Sequence, residues 1–528
     1  MPAESSFKLT YATMFNPPQE LHTNFDKAIE VTKANLGKEF PMLIGGKKVF
    51  AEEKFQDTSP IDTSMVLGVF QKGNAQHAQD ALIAARKAFP IWSGMKWQDR
   101  IAIIRKAADL IDERIYELGA AMSLEVGKNR MESLGDVAEA ADLYRYPCSE
   151  MERNNGFVKQ MASDPLTGYK STNFTILKPY GVWLVISPFN FPAALTGGPA
   201  ANALVAGNTL VIKPASDTPW LPSLIAEIFH DAGIPDGVVN LVTGPGSTTG
   251  QALVDSPEVD GITFTGSYPV GMQIYRDFAN GRYVRPIILE MGGKNPTIVS
   301  KHADVEDVAI GVVRSAFGLQ GQKCSACSRV YVEAPLYDKV VERVVALTKK
   351  LSVNDPTLQE TYMGPVINKR SYQEFQTYCA DLSKKARIIT GGNILPDGEF
   401  GKGYYCEPTI VVDVPRDHPL WKQEMFLPIT FIEKVNTLDE AMALANDVDL
   451  GLTAGMYGTD EEVEWFFSKI QAGCNYANRP MGATTGAWPG YQAFGGWKGS
   501  GAMGKCAGSV HYLQGYMHEQ SQTVVERE

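Results

Sequence analysis

Between Gly181 and Gly292 five short runs rich in β-branched and other apolar residues recur, separated by loop- and helix-length segments: WLVIS, TLVIKP, VVNLVTG, ITFTG and PIILEMG. A parallel strand covered on both faces reads as such a run, and parallel neighbours need a crossover long enough for a helix. The rhythm therefore predicts an α/β fold built on a doubly wound, Rossmann-like sheet. A second α/β rhythm follows from Pro296: PTIVS, a helix across DVEDVAIGVVRSAFG, RVYVEA, a helix to Lys350, TIVVDV, PITFIEKV and the helix TLDEAMALAND. From about Phe25 to Met151 the reading is mainly helical, because AQHAQDALIAARKAF and DRIAIIRKAADLIDERIYELGAAMSLEV repeat apolar residues at helical spacing; MLIGGKKVF before them suggests a strand pair. STNFTILKP near residue 171 and SQTVVERE at the end are polar and β-like and fit neither core. They read as pieces that pair across a subunit interface or as a surface hairpin.

A chain of 528 residues has ample length for several folding units, and 44% hydrophobic with 21% charged residues is ordinary globular composition. A formal charge of −11 and no run of Lys or Arg argue against nucleic-acid and anionic-lipid partners. No charged side chain lies between Lys178 and Lys213, but Ser187, Asn190, Pro188, Pro192 and Pro199 break the stretch, which predicts a buried strand, loop and helix and not a membrane span. Seven scattered cysteines read as reduced thiols, and the first twenty residues lack the apolar core of a secretory signal, so a cytoplasmic location is expected.

Ligands of open α/β sheets bind beyond the carboxyl ends of the strands, so polar residues there matter most. Asn190 follows WLVIS, Lys213 closes TLVIKP, Gly246 to Gly250 follow VVNLVTG, Gly266 and Ser267 follow ITFTG, and Glu290 closes PIILE. Glycine turns that lead into helix amino termini suit a diphosphate, although neither GPGSTTG nor FTGS is the GxGxxG fingerprint. In GQKCSACSR, between a helix and a strand, Cys324 and Cys327 lack the second ligand pair of a zinc site and do not open a thioredoxin-like helix, so no metal is expected. On residue type alone an inert buried cysteine is the commoner outcome and a nucleophilic thiol the sharper one.

The chain resembles the aldehyde dehydrogenase superfamily over nearly its whole length. SPFNFP with Asn190, IKPAS with Lys213, FTGS with Ser267, EMGGKN from Glu290, GQKC ending at Cys324, and EMF from Glu424 to Phe426 stand in the family's order. The resemblance implies a dinucleotide-binding domain over 1–160 and 181–291 with an N-terminal helical extension, a catalytic domain over 292–490, and small β bridging segments at 161–180 and 500–528. It implies a homo-oligomer, a dimer or a multiple of dimers, acting on a small-molecule aldehyde. Cys324 would attack the aldehyde, the Asn190 amide and the Cys324 N–H would hold the thiohemiacetal oxyanion, and Glu290 would activate the water that hydrolyses the thioester. A carboxylate at Glu290 separates this chain from members that pass the acyl group to coenzyme A. The cofactor residues so implied are Ile186, Ser187, Lys213, Ser216, Gly246, Gly250, Gly266, Ser267, Glu424 and Phe426. Many NAD-preferring members carry a glutamate where this chain has Ser216, which leaves NAD the first choice and NADP permitted. Leu427 replaces the glycine of the usual E-x-F-G-P loop.

The segment TGAWPGYQAFGGWKGSG from Thr485 to Gly501 resembles the substrate-anchoring loop of the 1-pyrroline-5-carboxylate dehydrogenase branch, as does Ser325 after the nucleophile. In that resemblance Ser325 and the amides around Gly486 and Ala487 hold the α-carboxylate of glutamate γ-semialdehyde, and Phe191 and Phe494 pack its aliphatic stem. NRPMGAT is longer than that branch requires and Ala493 replaces its proline, so a dehydrogenase of another semialdehyde or aldehyde is the alternative.

Overall fold

The computed structural model describes residues 7–479 and 487–527. Five parallel strands form the heart of a seven-stranded sheet, in the order Ile287–Glu290, Gly261–Thr265, Val182–Ile186, Thr209–Lys213, Val239–Leu241. Met42–Ile44 and Lys47–Val49, the strand pair read in MLIGGKKVF, extend it antiparallel. Alternate residues of Val182–Ile186 enter different cores: Trp183 and Val185 join Leu210 and Ile212 on one face, and Val182 and Leu184 join Val211 on the other. This period of two, with both faces covered, is what makes the run read as continuously apolar. Sequence order reverses on either side of Val182–Ile186, so a crevice opens at the carboxyl ends of the central strands.

A second seven-stranded sheet runs Arg387–Thr390, Thr409–Val412, Ile429–Val435, Cys327–Glu333, Asn295–Val299, Thr453–Tyr457, Cys474–Ala477, all parallel except its first strand. The two sheets are joined where the chain leaves Glu290, the last residue of one strand, and enters Asn295, the first of another. The carboxyl ends of the first sheet therefore face the amino ends of the second across four residues.

Two features differ from the sequence reading. Lys38–Phe40, Lys54–Thr58 and Val66–Gln71 form a separate three-stranded sheet within the region read as mainly helical. Residues Gly246–Gly250 are themselves a helical turn of the wide π type that runs on into Gln251–Val254, where a glycine-rich turn was expected. The two polar β-like segments, which the resemblance put together as bridging segments, pair with one another: Tyr169–Pro179 lies antiparallel to Met517–Arg527 over eleven residue pairs, with Val158–Met161 on its other edge. Ser500 to Tyr516 lie outside that sheet. Among the described residues no helix is long and apolar enough to cross a membrane.

Candidate active site

Strand register sets the first half of the site. Ile186 pairs with Lys213 and with Phe264, and Thr265 pairs with Glu290, so these side chains end adjacent strands at one rim, with Ser187, Gly266 and Ser267 immediately beyond. Lys213 is buried and its Nζ donates to the Pro214 carbonyl at 2.8 Å. Burial pulls its ammonium down to about 8, against the opposing attraction of Asp217. A Cβ added at Gly250 would stand 3.6 Å from Lys213 Cε, while nothing lies within 4 Å of the same position at Gly246. Ser216 is exposed, its Oγ 3.4 Å from the Gly244 carbonyl. Ser187 Oγ is buried without a hydrogen-bond partner, an orphan that calls for a polar group from outside the chain.

The second half is built around the crossing between the sheets. Gly292 and Gly293 must lack side chains: a Cβ on the first would overlap the Glu424 carboxylate, and one on the second would stand 2.6 Å from the Cys324 carbonyl oxygen. Gly293 N–H donates to Glu424 Oε1 at 2.8 Å. Asn295 Nδ2 donates to the carbonyls of Cys324 at 2.7 Å and Ala326 at 2.9 Å, and its Oδ1 accepts from Thr453 N–H at 3.0 Å. Upstream, Leu319, Gln320 and Gly321 take φ of 48°, 58° and 70°, a left-handed stretch rare for side-chain-bearing residues. Gln320 Nε2 ties it down by donating to the Gly127 carbonyl at 2.9 Å and the Pro365 carbonyl at 2.6 Å. Buried Asn190 donates from Nδ2 to the Gln322 carbonyl at 3.0 Å, two residues before the nucleophile candidate. Lys323 Nζ meets Glu132 at 2.6 Å in a buried ion pair. The strand-end loop of the first sheet and the cysteine loop of the second are thus held together.

Cys324 keeps some solvent contact although protein surrounds it. Its thiol is pushed up by burial and further by the charges of Glu424 and Glu290. Glu290 is pushed up to about 8 by burial, and its Oε2 has no hydrogen-bond partner. Burial raises Glu424 to about 7, outweighing the Gly293 N–H and Lys294. Phe426, at φ 56°, meets Phe189 edge to face at 5.7 Å, a contact between the Glu424 loop and the loop that carries Asn190. Cys327 is of another kind: it begins a strand, buried, with Sγ 3.2 Å from Thr297 Oγ1. Among the described residues no group of three or more His, Cys, Asp and Glu could hold a metal ion.

Ser325 is buried next to Cys324, whereas Phe191, Phe494 and Ala487 are each half-buried. Phe494 exchanges backbone hydrogen bonds with Ala507 at 3.0 and 2.7 Å. Gly486 lies outside the described residues. Several contributors were not singled out from sequence. Asn295 and Gln322 sit inside the quoted motifs EMGGKN and GQKC, so their signal was present. Ser500, whose Oγ donates to the Gly292 carbonyl at 2.7 Å, likewise sits inside the quoted segment from Thr485 to Gly501, whereas Tyr11, which packs on Phe191 from near the start of the chain, carries no local signal.

The class that this fold and site define is matched by most of the chain: the profile of the aldehyde dehydrogenase family covers residues 49–522, and the chain belongs to that family. Within it the chain is 38% identical over 507 residues to a 1-pyrroline-5-carboxylate dehydrogenase of Geobacillus sp. (strain WCH70), covering 95% of this chain and 96% of the relative. Identity is also 38%, over 508 residues and the same shares of each chain, to 1-pyrroline-5-carboxylate dehydrogenase 1 of Halalkalibacterium halodurans. A solved 1-pyrroline-5-carboxylate dehydrogenase from Thermus with bound NAD superposes at a TM-score of 0.91 with 34% identity, both chains being fully covered.

Proposed function

We propose that this enzyme oxidises L-glutamate γ-semialdehyde, the open form of 1-pyrroline-5-carboxylate, to L-glutamate with NAD in proline and arginine catabolism. The observation that supports the chemistry is that the Asn190 side chain is hydrogen-bonded to the loop carrying Cys324 and that the charge of Glu290, at a strand end of the first sheet, acts on that thiol; the relatives' names supply the aldehyde.

The residues present fit a dinucleotide. Ser187 Oγ is an orphaned buried hydroxyl, Gly246 leaves its Cβ position open, and Lys213 offers more ammonium hydrogens than its one carbonyl acceptor uses. Ile186, Ser187, Lys213, Ser216, Gly246, Gly250, Gly266 and Ser267 would hold it on the first sheet, and Glu424 and Phe426 from the second. Bound there, NAD supplies the hydride acceptor. Exposed Ser216 puts no charge against a 2′-phosphate, so NADP is permitted.

Cys324 gives up its thiol proton to water and adds its sulfur to the aldehyde carbon, the carbonyl electron pair moving onto oxygen. The Asn190 amide and the Cys324 N–H stabilise the oxygen that becomes anionic, each such donor being worth on the order of 10²–10³ in rate. Asn190 is neutral, so it does not hold back the departing hydride. The acyl group then rests on Cys324 as a thioester. Glu290, whose free Oε2 has no competing donor in the protein, takes a proton from water as that water attacks the acyl carbon. The raised Glu290 requires that this step speeds up as pH rises toward about 8. Ser325 and the Gly486–Ala487 amides would take the α-carboxylate, with Phe191 and Phe494 along the stem.

The division at 1–160 with 181–291, 292–490, and 161–180 with 500–528 into dinucleotide-binding, catalytic and bridging parts is part of this reading. Exposed Val158, Met161, Tyr169, Val524 and Val525 on the small third sheet support its use between copies of the chain. Seven free thiols support a cytoplasmic setting. The test is product analysis: with 1-pyrroline-5-carboxylate and NAD the enzyme should form glutamate in step with reduced nicotinamide. Nicotinamide reduction without glutamate, or none at all, would overturn the assignment.

A further inference from the structure

Residues ahead of the family-matching region take part in this site. The segment from Lys8 to Met14 is a self-bonded turn: Thr13 and Met14 N–H both donate to the Thr10 carbonyl at 3.0 Å, and Thr13 Oγ1 donates to the Lys8 carbonyl at 2.7 Å. Leu9, Tyr11 and Met14 are buried in the largest core cluster, so the turn is anchored by its side chains as well. Tyr11 projects into the body of the protein. Its ring stands edge-on to Phe191 at 6.4 Å and to Trp488 at 5.4 Å, the residue after Ala487. A Cβ on Gly135 would come within 3.0 Å of the ring. Tyr11 Oη donates to Glu139 Oε2 at 2.6 Å, which fixes the ring's rotation.

Phe191 cannot yield to a longer ligand by swinging away. Lys128 Nζ lies 3.6 Å from its ring centroid, and Lys128 is itself pinned by Asp136 at 2.8 Å in a fully buried pair. Asp136 also accepts from Ala194 N–H at 2.8 Å, at the start of the helix that follows the Asn190 loop. Beside Leu9 and Trp488 lies an open cleft of about 590 Å³, whose walls combine Leu9, Leu134 and Trp488 with the charged side chains of Asp112, Asp142 and Arg145. Tyr11 therefore stands between Phe191, the residue after Asn190, and Trp488, whose other neighbours open on the outer cleft.

We propose that Tyr11 closes the far end of the aldehyde pocket and thereby limits the length of aldehyde that Cys324 can oxidise. The inference rests on the aldehyde oxidation proposed above. Removal of the ring joins the pocket to the outer cleft, and an unbranched chain too long for the closed pocket then threads between Phe191 and Trp488. Each methylene that a pocket accepts or rejects is worth about 10- to 200-fold in kcat/KM, so opening the partition should change chain-length preference strongly.

The experiment compares octanal with butanal, two aldehydes without a carboxylate, on the wild type, Tyr11→Ala and Tyr11→Phe. The readout is the ratio of their kcat/KM values, which does not depend on the fraction of folded enzyme. The octanal-to-butanal ratio should rise by on the order of tenfold or more in Tyr11→Ala. It should stay near the wild-type value in Tyr11→Phe, which keeps the ring and loses only the Glu139 hydrogen bond. An unchanged ratio in Tyr11→Ala, or a rise in Tyr11→Phe equal to that in Tyr11→Ala, would overturn the partition. Failure of the semialdehyde assignment would appear separately, as a low efficiency of glutamate γ-semialdehyde relative to butanal in the wild type.

Discussion

Glu290→Gln should stabilise the protein while stopping its turnover, and the stabilisation should grow with pH. Burial raises the Glu290 carboxyl from 4.5 to about 8, and Oε2 has no partner to offset the cost of ionising it. A raised carboxyl binds its proton more tightly in the folded state, so its contribution to stability is complete below about pH 4.5 and is lost as pH rises through about 8. Linkage arithmetic at 1.36 kcal/mol per unit makes that loss about 1 kcal/mol at about pH 5.5, about 3 at about pH 7 and about 5 at about pH 9. These are ceilings, since water reaches part of the side chain. Glutamine cannot ionise and escapes the loss. An unfolding entropy of about 2 cal/mol/K per residue makes 1 kcal/mol worth roughly 1 °C in a chain this long. Thermal unfolding monitored by circular dichroism should therefore show a Tm advantage for the variant of about 1 °C at about pH 5.5, widening to about 4 °C at about pH 9. The same variant should give one burst of reduced nicotinamide per site and then stall, with the acyl-enzyme visible by intact mass. A pH-independent Tm difference would refute the electrostatic reasoning, and loss of the burst would place Glu290 in an earlier step.

Cys324→Ala should abolish oxidation yet leave nicotinamide binding intact by fluorescence titration, whereas Cys327→Ala, altering a residue buried at the start of a strand, should keep most of the turnover; the reverse result would refute the choice of nucleophile. Ser216→Glu, at an exposed position, should lower kcat/KM for NADP by at least about tenfold more than for NAD, because it sets a carboxylate against a 2′-phosphate. Equal losses would show that residue 216 does not face the ribose.

The central strands were legible because Val182–Ile186 and its neighbours are covered on both faces, which turns burial into an unbroken apolar run. The strand-end residues followed from that, since Lys213 and Glu290 are the last residues of their runs. The grouping of Tyr169–Pro179 with Met517–Arg527 came from the resemblance alone, because nothing local in either strand tells it that its partner lies more than three hundred residues away. The helical state of Gly246–Gly250 was hidden by its two glycines, whose intrinsic preference for helix is weak. Tyr11 was invisible for a similar reason. A tyrosine in a polar N-terminal stretch has no periodic pattern, and its position on Phe191 and Trp488 exists only after some hundreds of intervening residues have folded.

The account turns on which aldehyde the cleft prefers. The remote α-carboxylate of glutamate γ-semialdehyde supplies binding energy that orients the carbonyl over Cys324, so its absence should cost turnover as well as affinity. The direct measurement is nicotinamide reduction with glutamate γ-semialdehyde, propanal and butanal under one set of conditions. The semialdehyde should exceed both alkanals in kcat/KM by at least about 10²-fold, the discrimination expected when buried polar groups are left unpaired, and glutamate should inhibit. Comparable efficiency on the simple alkanals, with no inhibition by glutamate, would contradict it.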